Sequence, residues 1–230
     1  MFYYFDPTTI LLLPAILLAL IAQVRVSSTF NHYRNVPARS GLTGAEMARQ
    51  LLESEGINNV AIERVSGQLT DHYDPRTLTL RLSESTFDSA SVAALGVAAH
   101  EAGHALQHRD EYAPLILRNI AVPTVNFGSM LSWPLFVAGL IFSWQPLLYA
   151  GIALFALTVL FSLITLPVEF NASHRAIAAL ESKGFLQADE LTGAKKVLSA
   201  AAMTYVASAV TAILQLLRLL LIAGAGRSRD

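Results

Sequence analysis

The sequence predicts a mainly α-helical protein with three or four transmembrane helices and a small α+β region at the membrane surface. Of its 230 residues, 53% are hydrophobic and only 14% are charged, and the mean hydropathy is +0.47. This composition is typical of a multi-pass membrane protein rather than of a soluble domain. Four stretches approach the roughly 20 apolar residues that a spanning helix needs. The polar segments between them contain short helix and strand patterns, which predict the α+β region.

The four apolar stretches define the expected membrane segments. They cover residues 7–24, 121–142, 146–166 and 205–223. The first has no charged residue, no basic start and no small-residue cleavage motif, so we interpret it as an anchor rather than a cleaved signal peptide. Only a short SWQP turn separates the second from the third, which predicts a helical hairpin. The fourth contains Gln215 and Arg218, which fits either a span with a snorkelling arginine or a helix in the membrane interface.

These stretches divide the chain into five regions. We expect an N-terminal transmembrane anchor, a polar region, a transmembrane hairpin, a second polar region with connecting helices, and a C-terminal membrane helix with its tail. In chain order, the regions are residues 1–26, 27–120, 121–166, 167–204 and 205–230.

The distribution of basic residues predicts the orientation. If the hairpin crosses the membrane twice, residues 25–120 and 167–204 share one side, and they carry nine and four of the 16 Lys and Arg residues. The positive-inside rule then places both polar segments in the cytoplasm and both termini outside. We therefore expect an integral protein of a bacterial-type plasma membrane, with the lipid bilayer as a partner. The net charge of -1 gives no basic surplus, so no nucleic-acid partner is expected. The sequence does not indicate an oligomeric state.

The polar segment before the hairpin predicts a small α+β arrangement. Thr43 and Glu46 have capping-box spacing at the start of an amphipathic helix that Gly56 closes. Residues 60–65 and 77–82 have strand-like patterns, and an Asp-Pro pair between them indicates a turn. We expect these two strands to form a hairpin.

A histidine pair in the next predicted helix, residues 89–108, has the spacing of a metal site. His100 and His104 are four residues apart, so they project from one helical face, about 6 Å apart along the axis. Glu101 lies between them in the sequence HEAGH, where a carboxylate can take a proton from a metal-activated water. The chain has no cysteine, so a metal must be held by His, Asp or Glu. The motif predicts one zinc ion per chain and Glu101 as the catalytic acid/base. The alternative is a helix with ordinary polar histidines.

A catalytic zinc site needs a third protein ligand, and three residues are candidates. Asp110 would be the ligand in a metzincin pattern, but Gln107 stands where that pattern has its glycine. His108 continues the i+4 series, yet a straight helix carries it about 12 Å along the axis from His100, too far to share its metal. Glu169 opens a helical segment just after the third apolar stretch, as in zinc proteases whose third ligand is a glutamate. We prefer Glu169.

The motifs resemble, in the same order, those of the membrane neutral zinc metallopeptidases of the YugP-like type. The similar segments cover most of the chain and are LTDHYDP at residues 69–75, SVAALGVAAHEAGHALQ at 91–107, PVEFNAS at 167–173 and MTYVASA at 203–209. The resemblance implies a gluzincin-type protease with zinc on His100 and His104. It also implies Glu101 as the acid/base and Glu169 as the third ligand. In related membrane gluzincins an aspartate follows that glutamate by four residues, whereas this chain has Ser173.

Five further residues are candidates for contacting the substrate or stabilising the oxyanion. His72 and Tyr73 lie beside a predicted strand that can align an extended peptide. His174 and Arg175 closely follow the third-ligand glutamate, and Tyr205 is a hydrogen-bond donor near the membrane face. The alternatives are a structural turn for the first pair and ordinary surface or interface positions for the other three.

Together these patterns predict a zinc-dependent membrane endopeptidase that acts on a protein or peptide substrate at the membrane surface. Family analogy suggests a role in membrane or protein quality control. One alternative is an intramembrane protease, although charged residues on both sides of HEAGH favour a surface site. The other is a non-catalytic zinc-binding membrane scaffold or chaperone-like factor, against which the presence of the acid/base residue argues.

Overall fold

The computed structural model describes residues 7–227 of the chain. A 3₁₀ turn at Pro7–Leu12 leads into the first α-helix, and the described residues are mainly helical with one small sheet. In chain order the elements are α1 (Leu13–Tyr33), α2 (Gly44–Ser54), β1 (Ala61–Val65), β2 (His72–Asp74), β3 (Thr79–Ser83), α3 (Glu84–Phe87), α4 (Val92–Arg109), α5 (Ala113–Ile141), α6 (Gln145–Ser182) and α7 (Ala188–Arg227). The predicted mainly α fold is confirmed.

Four helical segments within the described residues are long and apolar enough to cross a membrane. These candidate spans are Pro7–Tyr33, Ala113–Ile141, Gln145–Ser182 and Ala188–Gly224. Each covers a predicted apolar stretch to within one residue and continues beyond it. α6 has 38 residues and α7 has 40, about twice the length needed to span a bilayer. Both helices therefore extend well past their apolar stretches.

The chain divides into two compact units. Within the described residues, the first, here called the apolar unit, comprises residues 7–22, 117–166 and 204–227. The second, called the polar unit, comprises Gln23–Ile116 and Pro167–Met203. The four long helices α1, α5, α6 and α7 each pass from one unit into the other without a break.

Close helix packing characterises the apolar unit, in which α5 and α6 form a helical hairpin. A Cβ on Gly151 would lie 2.6 Å from the backbone nitrogen of Phe136, and a Cβ on Gly139 would lie 2.5 Å from that of Leu148. Only glycine fits at such approaches, which are common between membrane helices. Large apolar side chains elsewhere in this unit remain exposed, as expected for a surface that contacts lipid. Examples are Leu17, Phe127 and Leu160.

The polar unit has a hydrophobic core of its own, to which α2, α4, β3 and the polar-unit parts of α6 and α7 contribute. Its fully buried side chains include Met47, Leu51, Leu80, Leu95 and Leu180. Burial of such side chains is the main favourable contribution to folding, at about 1.5–3 kcal/mol each. The unit therefore has a rigid interior against which site residues can be held.

The predicted capping box begins α2. Thr43 Oγ1 accepts a hydrogen bond from the backbone N–H of Glu46 at 3.2 Å, and Glu46 Oε2 accepts one from the backbone N–H of Thr43 at 2.9 Å. The chain leaves the helix through Gly56, whose φ of 75° lies in the left-handed region that favours glycine. Both ends of this helix are as predicted.

The sheet differs from the predicted hairpin. Its strand order is β1-β3-β2, with β1 parallel to β3 and β2 antiparallel to β3. The expected direct hairpin between residues 60–65 and 77–82 is therefore wrong. Parallel pairing needs a crossover of about a dozen residues, and the intervening segment, which includes β2, is long enough to supply it. Leu80 and Leu82 of β3 are fully buried, so β3 takes the central position, whereas most of β1 is exposed.

The helix that carries HEAGH is α4, which begins three residues later and ends one residue later than predicted. Ser91 is its N-cap, because the Ser91 hydroxyl accepts a hydrogen bond from the backbone N–H of Ala94 at 3.2 Å. Nearly all of α4 is buried. The helix thus carries its polar motif into the interior of the polar unit.

Candidate metal centre

Two histidines of α4 and one glutamate of α6 converge inside the polar unit. His100 Nε2 lies 3.3 Å from Glu169 Oε2, and His104 Nε2 lies 3.8 Å from the same oxygen. The potential ligand atoms of the three residues all lie within 4.8 Å of one another. His104 and Glu169 are buried and His100 is half-buried. The structure thus brings together the three residues that the sequence nominated as zinc ligands.

Small residues allow α4 and α6 to approach closely at this point. A Cβ on Gly103 would lie 2.6 Å from the backbone oxygen of Ala172. The neighbouring positions on the facing sides are fully buried alanines, including Ala99, Ala102 and Ala176. The glycine and alanines around HEAGH therefore set the helix spacing from which the three side chains reach one another.

Gln107 fixes the tautomer of His104. The Gln107 amide nitrogen donates to Val168 O at 2.8 Å and to Asn171 Oδ1 at 2.9 Å, so its Oε1 is identified as the acceptor end. His104 Nδ1 lies 2.9 Å from that Oε1 and must therefore carry a hydrogen. In the neutral imidazole, His104 Nε2 then keeps its lone pair, on the side that faces Glu169.

Ser173 supports the other histidine. Its hydroxyl oxygen lies 3.1 Å from His100 Nδ1. When the hydroxyl accepts the Nδ1 hydrogen, His100 Nε2 is left free to bind a metal beside Glu169. The serine thus supplies a hydrogen-bond partner for this histidine.

A hydrogen-bond network continues from Gln107 to the surface of the polar unit. Asn171 Oδ1 also accepts from Arg175 Nε at 2.8 Å. Arg175 Nη1 in turn donates to Asp110 Oδ2 at 2.5 Å, and Arg109 Nε donates to Asp110 Oδ1 at 2.7 Å. Arg109 and Arg175 hold the pKa of Asp110 below its usual range. Asp110 is thus paired with arginines rather than placed with the potential metal ligands.

One separation is close to that around a tetrahedral zinc ion, while His104 Nε2 at 3.8 Å from Glu169 Oε2 must move a few tenths of an ångström closer to share the ion. Two ligands bound at about 2.0–2.1 Å to such an ion are about 3.4 Å apart, and His100 Nε2 and Glu169 Oε2 are separated by 3.3 Å. Burial lowers the pKa of His104, but the carboxylates of Glu169 and Glu101 more than offset that effect and raise the pKa overall. Two imidazoles and one carboxylate form a donor set that zinc prefers, with a fourth position left for water.

The Glu101 carboxylate lies near this site and has no hydrogen-bond partner among the described residues. Glu101 is 8% exposed, and it makes no hydrogen bond or ion pair with the residues that the structure describes. Its charge contributes to the raised pKa of His104, so the two groups are close. Neither oxygen of Glu101 is among the buried polar atoms that lack a partner, so the carboxylate keeps access to solvent and is available to a water molecule or a substrate.

The first two candidates for substrate contact lie on β2. His72 is exposed, and its Nδ1 donates to Thr70 O at 2.9 Å. The Tyr73 hydroxyl lies 3.0 Å from Nδ1 of His108, and burial together with the charge of Asp74 raises the pKa of Tyr73 to about 12. Tyr73 is therefore a neutral phenol at physiological pH and is paired with the histidine at the end of α4.

The other three candidates lie on the long helices. His174 is exposed on α6, Arg175 belongs to the network that reaches Asp110, and Tyr205 is half-buried on α7 in the apolar unit. Among the described residues, the group that could hold a metal contains only the two HEAGH histidines and Glu169. This group does not include His174, Arg175 or Tyr205. It also does not include Asp110 or His108.

Sequence reasoning left three supporting residues without a role. Gln107 lies three residues after His104, while Asn171 and Ser173 follow Glu169 by two and four residues. The i+3 spacing of Gln107 and the i+4 spacing of Ser173 were a signal, since such residues share a helical face with the ligands. The i+2 spacing of Asn171 was not. The packing of α4 against α6 decides which hydrogen bonds form, and the sequence of neither segment alone predicts that packing.

Comparison with known proteins agrees with this geometry. A family model described as "Putative neutral zinc metallopeptidase" matches residues 8–224. The chain belongs to this family. A curated relative named "Putative membrane protease YugP", from Bacillus subtilis (strain 168), is 47% identical over 220 residues, which cover 96% of this chain and 98% of the relative. No solved structure matches the chain significantly.

Membership of the neutral zinc metallopeptidase family confirms the resemblance seen in the sequence motifs. The family implies zinc, and the cluster of His100, His104 and Glu169 is a possible place for the ion. The family description and the relative's name both support a peptidase. That name and the four apolar helices also support a membrane protein.

Proposed function

We propose that this metallopeptidase is a zinc-dependent membrane endopeptidase. In this proposal, His100, His104 and Glu169 hold one zinc ion per chain. The carrying observation is that the potential ligand atoms of these three residues converge within 4.8 Å of one another, beside Glu101, a carboxylate close enough to raise the pKa of His104 and without a hydrogen-bond partner among the described residues. A structural zinc site has four protein ligands and no use for such a carboxylate. The observation therefore favours an enzyme over a non-catalytic scaffold or chaperone-like factor.

The chemistry assigns a distinct task to each residue. When bound, zinc would lower the pKa of a coordinated water toward about 7 and polarise the peptide carbonyl. Glu101 accepts the proton of the attacking water and then donates it to the leaving amine as the C–N bond breaks. Gln107 and Ser173 keep the Nδ1 atoms of the two histidines occupied, so that each Nε2 stays available as a ligand.

The protein or peptide substrate is proposed to bind in an extended conformation along β2. Within the described sheet β2 is an edge strand, so one side of its backbone can pair with a peptide. The exposed imidazole of His72 is a candidate contact on this strand, and His174 and Tyr205 stay candidates elsewhere. Arg175 is assigned a positioning role, because its guanidinium is already bonded to Asn171 and Asp110.

We further propose that the zinc site faces the cytoplasm of a bacterial-type plasma membrane and serves membrane or protein quality control. Most of the Lys and Arg residues lie in the polar unit, which supports a cytoplasmic location by the positive-inside rule. Exposed Arg109 and Asp110 at the end of α4 favour a site at the membrane surface over one within the bilayer, because charges at the bilayer centre are costly.

The test of the catalytic assignment is Glu101→Gln in the full-length protein. We expect this variant to retain about one zinc per chain, because Glu101 is not a ligand. Its cleavage of unfolded casein should fall by about 10²-fold or more, the usual contribution of a general acid/base. Zinc content by elemental analysis and proteolysis by gel assay provide the two measurements.

Glu53→Gln is the matched control. Glu53 is exposed on α2, so the same chemical change there should leave both zinc content and proteolysis intact. Undiminished cleavage by Glu101→Gln would refute the catalytic role. Absence of zinc from the purified, folded wild-type protein would refute the enzyme proposal as a whole.

A further inference from the structure

A basic cavity in the polar unit is separate from the metal centre. It has a volume of about 560 Å³ and lies between the C-terminal part of α1 and the N-terminal part of α7. Arg25, Lys195 and Lys196 are its permanent cations, and the other lining side chains are His32, Tyr33 and four serine or threonine residues. No acidic residue lines it. The combination of cations and hydroxyls indicates an anionic ligand with several oxygen atoms.

Both walls of the cavity show the same helical spacing. On α1 the lining includes Arg25 and the residues three, four and seven positions after it, and on α7 it includes Thr192 and the residues three, four and seven positions after that. Residues at these spacings share one face of a helix. Each helix therefore presents a polar stripe to the cavity.

The two walls are packed against each other beside the cavity. A Cβ on Gly193 would lie 2.6 Å from Cε1 of Tyr33, so α7 approaches α1 closely at this glycine. Phe30 and Val197 are buried in one apolar cluster. These contacts place the two stripes side by side, with the open cavity between them, in the absence of a ligand.

The three permanent cations lack acidic partners in the described part of the chain. Neither Arg25 nor the two lysines form an ion pair there, whereas Arg39 and Lys183 of the same unit are each paired with a carboxylate. Like charges gathered around one space repel one another. A bound anion relieves that repulsion.

The cavity lies at the ends of two apolar stretches. Arg25 is the first charged residue after the apolar stretch 7–24 of α1, and Lys196 is the last charged residue before the apolar stretch 205–223 of α7, which begins nine residues later. Such positions correspond to the depth at which lipid headgroups meet water. The abundant anion at that depth is the phosphate of a glycerophospholipid.

We propose that this cavity binds the headgroup phosphate of an anionic glycerophospholipid. Arg25 and the two lysines neutralise the phosphate, and the hydroxyls of the walls bond to the remaining headgroup oxygens. A zwitterionic choline headgroup would bring another cation into an already positive cavity, so a headgroup with net negative charge is preferred. Topology alone requires basic residues at this depth, but it does not require them to surround a preformed cavity.

The experiment measures the thermal stability of the full-length protein in detergent with three probes at equal concentration. The probes are dioctanoyl phosphatidylglycerol, dioctanoyl phosphatidylcholine and glycerol 3-phosphate. A ligand that binds the folded state but not the unfolded state raises Tm progressively as its concentration increases above Kd. The cavity variant is Arg25→Gln/Lys195→Gln/Lys196→Gln. Its control, Arg34→Gln/Arg49→Gln/Arg76→Gln, removes the same charge from exposed residues of the polar unit.

We expect phosphatidylglycerol to raise the Tm of the wild type and of the control at the same concentration. The cavity variant should need at least about a tenfold higher concentration for the same rise in Tm, which corresponds to a loss of about 1.4 kcal/mol of binding free energy. Equal responses of the cavity variant and the control would overturn the proposal. So would equal stabilisation by phosphatidylcholine, and equal stabilisation by glycerol 3-phosphate would indicate a site for soluble phosphate instead. If the triple variant does not fold, Lys195→Gln and Lys196→Gln are compared singly with Arg34→Gln under the same criteria.

Discussion

Gln107 is fully buried between α4 and α6, where each end of its amide has a defined task. Its nitrogen bonds to two acceptors of α6, and its oxygen receives the His104 Nδ1 hydrogen. The residue therefore joins the ligand to the helix that carries Glu169. At this scale the proposed zinc site depends on groups that never touch the metal, because they decide which imidazole nitrogen is free to bind it.

The residue-scale prediction is that Gln107→Met weakens zinc binding. Methionine has a similar length but neither accepts the His104 hydrogen strongly nor donates to α6. Loss of such a supporting group typically lowers metal affinity by about 10–100-fold. The measurement is zinc affinity by competition with a fluorescent chelator, made on folded protein.

Gln50→Met provides the control for that substitution. Gln50 is exposed on α2, so the zinc affinity of the Gln50→Met variant should equal that of the wild type. A folded Gln107→Met variant with wild-type zinc affinity would show that the tautomer of His104 is fixed by something else.

At the scale of elements, the contact between α4 and α6 is the feature that assembles the site. The two helices meet at Gly103 and Ala172, where backbone and backbone are nearly in contact. Any added atom at the glycine must push the helices apart. The ligand atoms are spaced by only 3.3 Å and 3.8 Å from a shared oxygen, so a displacement of a few tenths of an ångström changes the coordination geometry.

We therefore predict that Gly103→Ala destabilises the polar unit by about 1–3 kcal/mol, the usual cost of overpacking, and also lowers zinc affinity. The measurements are Tm in detergent and chelator competition. Gly96→Ala is the control on the same helix, because its Cβ would lie 3.4 Å from the Cβ of Ala194 and can be accommodated with a small shift. Alanine at position 96 leaves the contact at Gly103 unchanged, so zinc affinity should be preserved. Its higher helix propensity than that of glycine should also keep α4 stable. Equal zinc affinity in both variants would contradict the proposed role of the helix contact.

The elements also separate what the sequence predicted from what it did not. The apolar stretches, the capping box at Thr43 and the HEAGH spacing are local patterns, and each has its predicted counterpart in the structure. The pairing of β1 with β3 depends on a crossover between distant segments, so alternation along each strand could not specify it. Likewise, Gln107 bonds to Val168 and Asn171 of α6 only because α4 and α6 pack together. The sequence shows these residues but not that packing.

At the scale of the whole molecule, the absence of cysteine from the sequence makes orientation directly testable. Asn58 is exposed in the polar unit, and Trp144 is exposed in the turn between α5 and α6. If the proposed orientation is correct, Asn58→Cys is labelled by an impermeant maleimide only after the cells are opened. Trp144→Cys is labelled in intact cells. The natural chain serves as the unlabelled background.

Labelling of Asn58→Cys in intact cells would place the zinc site outside the cytoplasm and overturn the orientation. Activity of each variant on unfolded casein serves as the folding control. Both substitutions lie away from the proposed ligands, so both variants should keep wild-type proteolysis.

α6 runs as one helix from Gln145 to Ser182, so an apolar stretch and Glu169 belong to the same helix. Pro167 lies two residues before Glu169, where the helix leaves the apolar unit, and its missing N–H removes one hydrogen bond of the helix at that point. Spanning helices respond to bilayer thickness by tilting or bending, and bends concentrate at proline. We therefore expect the acyl-chain length of the surrounding lipid to change the position of the proposed third ligand, so kinetic comparisons are best made in bilayers of matched thickness.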